Sequence, residues 1–342
     1  MAKRLGKRDR LARTVAGKTV DRLPVSLWRH FLIEERSRDG LVAAMRQWQK
    51  TYDWDFLKIN PRYSYHTEDW GNQYTCPAGE HVQPELVHPC VGSADAFRHL
   101  DRLDATGKDG RLAPVLADHL GAVADLRKAL GDRVPLVMTV FTPMSIAAEL
   151  AGGPQDLAGL IAEDPTMVHV GLRTITDTFA AFAAQCIEAG ADGIFLATTH
   201  VATLANFTLD EYQEFGRPYD LEVLKAAAGA PLNLLHVCKT RAMVRELADY
   251  PAAMLNWDST DPTNPPLAQM VPTARGKALV GGVDRALLPD PARRGEMLQQ
   301  VRAARESMGG RPFVLGSTCT IGTTSPPDMV AALRAAAEET PA

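Results

Sequence analysis

Three side chains in this sequence could hold a soft metal between them: His236 and Cys238 in Pro231-Leu-Asn-Leu-Leu-His-Val-Cys238, and Cys319 in Gly316-Ser-Thr-Cys319. Alternate residues of a strand face the same way, so an apolar run ending in His-x-Cys delivers an imidazole and a thiol into one space. Cys319 closes a second apolar run, Pro312-Phe-Val-Leu-Gly316. If both runs are strands of one sheet, two thiolates and an imidazole meet at one end of it with a fourth position open, the donor set of catalytic zinc. A plainer role also fits, because free cysteine is among the most buried residue types and no Cys-x-x-Cys pair locks a metal pattern. His200, just past Ala197-Thr-Thr, ends another apolar run and either reaches the same space or serves as a cap.

The elements that must position these groups follow from periodicity. Eight apolar runs have strand character: Pro24 to Trp28, Trp54 to Ile59, Val134 to Val140, Gly193 to Ala197, Pro231 to Val237, Ala252 to Trp257, Ala278 to Val283 and Pro312 to Gly316. Helical periodicity falls between most of them, at about 39–52, 117–131, 166–189, 210–228, 240–249, 266–275, 291–308 and 326–338. Eight alternations predict an α/β fold, a (β/α)8 TIM barrel forming a single domain over 1–342. A doubly wound open sheet is the second choice.

Between the second and third strands lies an insertion at about 61–133. It carries Tyr63, Tyr65, Trp70 and Tyr74, and on the catalytic face of a barrel such a segment roofs the site. Cys76 and Cys90, with His81 and His88 between them, match no zinc spacing. Neither a phosphate loop nor a Gly-x-Ser-x-Gly elbow occurs, which sets aside the commonest nucleotide and serine-hydrolase chemistries. A formal charge of −4 over 342 residues suggests no nucleic-acid groove, and no run approaches a membrane span. Five cysteines without a signal-like start point to the reducing cytoplasm.

With strands and site placed, the chain resembles the uroporphyrinogen decarboxylase superfamily over nearly its full length. The likeness rests on Arg13-Thr-Val-Ala-Gly-Lys-Thr-Val-Asp-Arg-Leu-Pro-Val25 followed by Trp28-Arg29, on Glu188-Ala-Gly-Ala-Asp-Gly193, on Gly281-Gly-Val-Asp-Arg-Ala-Leu287 and on Cys319-Thr-Ile-Gly-Thr-Thr-Ser-Pro-Pro-Asp-Met-Val330. The resemblance implies a (β/α)8 barrel. It also shows departures from the decarboxylases: their catalytic aspartate falls near Asn60-Pro61-Arg62, where no carboxylate stands, their tyrosine aligns with Glu149, and their last-strand histidine with Cys319. His236, Cys238 and Cys319 instead fall on the three zinc positions of the superfamily's corrinoid-dependent methyltransferases. A similar His-x-Cys in cobalamin-independent methionine synthase is completed by a carboxylate from the next strand, a part that Asp258 could take.

The resemblance therefore implies a zinc-dependent methyltransferase moving a methyl group from a corrinoid, held on a separate protein, to a small thiol or folate acceptor. Metal ligands would be His236, Cys238 and Cys319 with Asp258, or Glu149, as the fourth. Arg29 is a candidate anion contact at the barrel mouth, and Glu149 and His200 are further catalytic candidates. Two alternatives stand beside this reading: a decarboxylase-like lyase acting on a tetrapyrrole, and a zinc- or corrinoid-binding protein without turnover. Neither nucleic acid nor membrane is expected as a partner, and a homodimer is left open.

Overall fold

The computed structural model describes residues 4–339. At its centre is a curled, seven-stranded parallel sheet whose strands follow one another in chain order: β1 (Leu57–Ile59), β2 (Leu136–Phe141), β3 (Gly193–Thr198), β4 (Leu234–Val237), β5 (Met254–Trp257), β6 (Ala278–Val283) and β7 (Val314–Ser317). Strands covered on both faces read as unbroken apolar runs, and Leu234, Leu235 and Val237 of β4 are all buried. A small apolar cluster that includes Trp28, Phe56, Val137, Phe195, Leu234 and Val314 packs separately from a larger one that joins strands to helices.

The run Pro24 to Trp28 is not a ladder strand. Val25 makes a single isolated parallel bridge to Leu315. Backbone bonds nevertheless tie this segment to both edges of the sheet: Ser26 N–H donates to Leu315 O (3.1 Å), Leu315 N–H to Pro24 O (2.8 Å) and Asp55 N–H to Val25 O (3.0 Å). Pro24 has no N–H to extend the ladder. The approach needs a glycine at 316, where a Cβ would lie 3.0 Å from Ser26 O.

The helices are α1 (Lys7–Val15), α2 (Arg38–Tyr52), α3 (Pro114–Leu130), α4 (Pro143–Ala151), α5 (Pro154–Glu163), α6 (Pro165–Glu188), α7 (Leu209–Phe215), α8 (Arg217–Ala226), α9 (Leu267–Met270), α10 (Arg294–Ser307) and α11 (Pro327–Ala336). Four departures from the sequence expectation have local causes. The helix expected at 210–228 breaks at Gly216, and the one at 266–275 stops after four residues, just before Pro272. The stretch 240–249 forms turns, because its backbone bonds to the loop after β3 (Met243 N–H to Ala202 O, 3.0 Å) and Arg241 is left-handed at φ 49°. Helices α4 and α5 were not foreseen: eight of the nine residues of α4 are buried, so no amphipathic stripe marks it, although each helix opens on a proline at its first turn.

Helix α1 packs at the N-terminal end of the sheet. Its Leu11 belongs to the small apolar cluster, and its Arg10 donates to the fully buried Asp55 (2.6 Å) and to Asp21 (2.8 Å). Asp55 also accepts from Arg22 (2.7 Å) and from Val25 N–H (2.8 Å). No described helix is long and apolar enough to cross a membrane.

Candidate metal centre

Parallel register places His236 of β4 directly beside Asn256 of β5. The Asn256 amide donates through Nδ2 to Val280 O (2.9 Å) and Ser317 O (3.2 Å), which leaves Oδ1 facing the imidazole as an acceptor. His236 Nδ1 meets that oxygen at 2.6 Å. An amide oxygen accepts only, so Nδ1 carries a proton and Nε2 is the nitrogen turned to the cysteines, the orientation a metal-binding histidine requires. The ring is further held by stacking on Phe195, with centroids 5.2 Å apart.

Cys238 follows β4 and Cys319 follows β7, two strands that are not neighbours in the sheet. Curling of the sheet brings them together all the same. The two Sγ atoms are 3.9 Å apart, Cys319 Sγ is 3.5 Å from His236 Nε2, and all three donor atoms lie within 4.8 Å of one another. Zn–S bonds of ~2.3 Å and Zn–N bonds of ~2.0–2.1 Å at tetrahedral angles set donor separations of about 3.8 Å for S to S and about 3.5 Å for S to N. Both observed spacings match those edges, so the residues fit the ion. Without a metal, the Cys238 thiol donates to Cys319, which holds Cys319 well below the usual thiol pKa and pushes Cys238 well above it. Among the described residues this is the one His, Cys, Asp and Glu group within metal-holding distance, so Cys76, His81, His88 and Cys90 form no second site.

The trio lines a cavity of about 150 Å³ with Lys58, His66, Phe195, Glu149 and His200 among its walls. Glu149, opening off α4, accepts from Tyr74 Oη (3.1 Å), and burial raises its pKa. His200 is left-handed at φ 63°, and its pKa is lowered by burial and then by Lys239. Two expected residues are elsewhere. Asp258 turns back on its own loop and accepts from Thr260 N–H (3.2 Å), Thr260 Oγ1 (2.8 Å) and Asp261 N–H (3.2 Å), because a loop offering free donors captures a nearby carboxylate. Arg29 is outside the cavity lining: it donates to His30 O (3.2 Å) and lies over the Phe31 ring at 5.0 Å.

The segment between β1 and β2 divides its aromatics between two tasks. Tyr63 and Tyr74 edge the space above Glu149. Tyr65 is fully buried and donates to Thr139 O (2.7 Å), while Trp70 donates to Asp101 O (2.8 Å) and packs on Phe179 of α6, so these two anchor the segment. Sequence reasoning missed Asn256, Phe195 and Lys58. The signal for Asn256 was available: a polar residue inside the apolar run Met254-Leu-Asn-Trp257 needs a partner.

Known proteins bear on this arrangement. The model of a family described as Uroporphyrinogen decarboxylase (URO-D) matches residues 35–340. A methylated-thiol–coenzyme M methyltransferase from Methanosarcina mazei is 26% identical over 156 residues, 46% of this chain and 40% of that protein. A uroporphyrinogen decarboxylase from Verminephrobacter eiseniae is 27% identical over 235 residues, 62% of each chain. The chain thus spans less than two thirds of the length of either curated relative. Among solved structures, a methyltransferase from Methanosarcina mazei superposes with a TM-score of 0.77 at 20% identity, over 97% of this chain and 98% of that one. A B12-independent methionine synthase from Shewanella sp. W3-18-1 gives 0.54 at 12% identity, over 93% and 92%. These two likenesses establish the fold alone.

Proposed function

The chain belongs to the uroporphyrinogen decarboxylase family, and on that footing we propose that it is a zinc-dependent methyltransferase that moves a methyl group from a corrinoid on a separate protein to a small thiol. The observation that carries this reading is the convergence of the His236, Cys238 and Cys319 donor atoms within 4.8 Å of one another, the two separations from Cys319 matching tetrahedral edges, with the imidazole tautomer already set by Asn256. We read the seven strands and the Val25 bridge as a (β/α)8 barrel of one domain, with the insertion at about 61–133 partly over its mouth.

His236 through Nε2 and the two cysteines as thiolates would hold the ion. When bound, zinc supplies Lewis acidity that keeps an acceptor thiol as a nucleophilic thiolate. The chain does the rest. Phe195 and Asn256 fix the imidazole, and His200, whose pKa is lowered by partial desolvation, is the wall group able to take the thiol proton. Glu149, whose pKa burial raises, has its carboxylate held by Tyr74 (3.1 Å) at the edge of the cavity. The acceptor sulfur forms the new S–CH3 bond, and the electron pair of the broken bond stays with the corrinoid donor. A cavity of about 150 Å³ suits a small thiol better than a folate. The lyase alternative lacks a carboxylate at position 60, where Asn60 stands.

The test is metal analysis of the purified protein followed by incubation with methylcobalamin and 3-mercaptopropionate. About one zinc per chain and a methylated thiol product are expected. A protein that cannot be loaded with zinc, or one that binds it and transfers no methyl group to any thiol, ends this reading.

A further inference from the structure

His30 stands on the wall of the metal-centre cavity with a buried carboxylate, Glu35, behind it. The chain turns back between the two: Glu35 N–H donates to Phe31 O (2.8 Å) beside a short 3-10 turn at Glu34–Arg36, which carries the Glu35 side chain over residues 30 and 31. Only 2% of Glu35 is exposed. Its carboxylate accepts from Phe31 N–H (3.0 Å) and Tyr63 N–H (2.9 Å), and His30 Nδ1 lies 3.0 Å from one oxygen and 3.2 Å from the other. A carboxylate that already receives two backbone donors is the acceptor of this contact too, so Nδ1 carries a proton. Nε2, on the far edge of the ring, has no protein partner among the described residues. His30 lines the same cavity as His236, Cys238 and Cys319 but belongs to no metal-holding group.

An imidazole fixed through Nδ1 by a buried carboxylate, with Nε2 open, is built to accept a proton and keep it, because the carboxylate both orients the ring and balances the imidazolium. His200 lacks that backing. No carboxylate stands at ion-pair distance from it among the described residues, and Lys239 opposes a charged ring. The metal centre and the His30–Glu35 pair are near enough that the Lys58 ammonium is influenced by both Cys319 and Glu35. The cavity of about 150 Å³ has room for a few waters, and Asn60, Thr139 and Thr320 line it with polar groups. His30 also reaches solvent, with 17% of its side chain exposed.

We propose that His30 is the proton-relay residue of the metal centre, with Glu35 as its positioning residue: the proton that leaves an acceptor thiol passes to His30 Nε2 and from there to solvent. The S–H bond breaks with its electron pair left on sulfur. His200 takes the proton in passing, an N–H bond then forms at His30 Nε2, and Glu35 balances the imidazolium until water removes the proton. This rests on the thiol-methyltransferase reading above and adds the exit route for the proton which that reaction releases.

The experiment follows proton release rather than methyl transfer, by stopped-flow mixing of zinc-loaded protein with 3-mercaptopropionate in weak buffer containing a pH indicator. His30→Ala should release the proton on the order of 100-fold more slowly than wild type, the lower range for a positioned proton-transfer group. Added imidazole should restore the rate, and pyrazole, of the same shape but far less basic, should not; a purely structural loss at residue 30 would not depend on the basicity of the additive. Glu35→Gln should slow release as well, and nitrogen NMR shifts of the metal-free variant should show His30 moved from the Nδ1–H toward the Nε2–H tautomer. If Glu35→Gln does not fold, His30→Ala with imidazole decides alone. Unchanged release in His30→Ala, or slowed release that imidazole does not restore, overturns the relay while leaving the methyltransferase reading intact. Release at the wild-type rate in Glu35→Gln removes Glu35 from it. If wild type binds no thiol, the methyltransferase reading itself fails and the relay with it.

Discussion

The two ends of the central sheet treat buried charge in opposite ways. At the N-terminal end, every oxygen of Asp55 is claimed by Arg10, Arg22 or the Val25 amide, and Arg10 is shared with Asp21. At the C-terminal end, Lys58 lacks a carboxylate among the described residues, His66 has an unpartnered nitrogen, and two thiols and an imidazole face one another. Among the described residues, three of the four non-glycine positions with positive φ, His200, Lys239 and Arg241, also lie in the loops that follow β3 and β4. One end has its polar groups satisfied by the fold; the other holds them in reserve for something the fold does not contain. Barrel enzymes place stability at the first end and chemistry at the second.

The sharpest way to break this contrast is to remove one charge from each end. Asp55→Ala leaves two arginines buried without their acceptor and should cost ~3–5 kcal/mol in urea denaturation. Cys319→Ala should abolish zinc binding while changing the stability of metal-free protein by less than ~1 kcal/mol, within the range of substitutions away from the packed core. Similar stability losses from both would show that the C-terminal end is structural after all.

Asn256→Ala tests the next level, because it spares every ligand and removes only the acceptor that sets the His236 tautomer. Zinc affinity measured by competition with a chelator should fall ~10- to 100-fold. An unchanged affinity would mean that the imidazole is held by Phe195 alone.

A smaller effect should appear in the pH dependence of stability. Burial shifts Lys58 from 10.5 in the unfolded reference to about 7 in the folded chain. Between those values the unfolded state binds more protons, so stability rises as pH climbs from about 7 toward 10.5, and the desolvation cost is at its full value below 7. Lys58→Met should flatten that rise, gaining most over wild type near pH 6 and least near pH 10, in denaturation of the metal-free protein. The smallest change is expected from Glu149→Gln, which imitates the neutral acid favoured by burial and should leave zinc content unaltered.

How much of this was legible in the sequence differs between framework and site. Strand runs such as Gly193 to Ala197 and Ala278 to Val283 were readable because double-sided burial demands continuous apolar stretches, and the structure places strands there. The end of the sheet at Val25 was not, since whether a short run becomes a ladder or a single bridge depends on the edge it meets 290 residues later. His236 and Cys238 announce their shared face by spacing alone. Their meeting with Cys319 depends on curvature, which periodicity does not encode. Asp258 shows the opposite error: residue type and strand position suited a ligand, but the donors of residues 260 and 261 reached it first. Lys58 was passed over because a lone lysine in an apolar stretch carries no spacing signal, and only burial without a counter-ion gives it meaning.

The Val25 bridge also bears on how the protein is made. The segment that ties β1 to β7 is synthesised about 290 residues before Leu315, which both accepts from Ser26 and donates to Pro24. Until then both borders of a growing parallel sheet present open backbone groups, the surface through which sheets pair between chains. Contacts this distant in sequence form slowly, because loop-closure entropy must be overcome before they contribute. Aggregation during refolding should therefore depend on the pairing of residues 24–26, and a Leu315→Pro chain, which loses the N–H that bonds to Pro24, should form intermolecular β-structure faster than wild type at equal concentration.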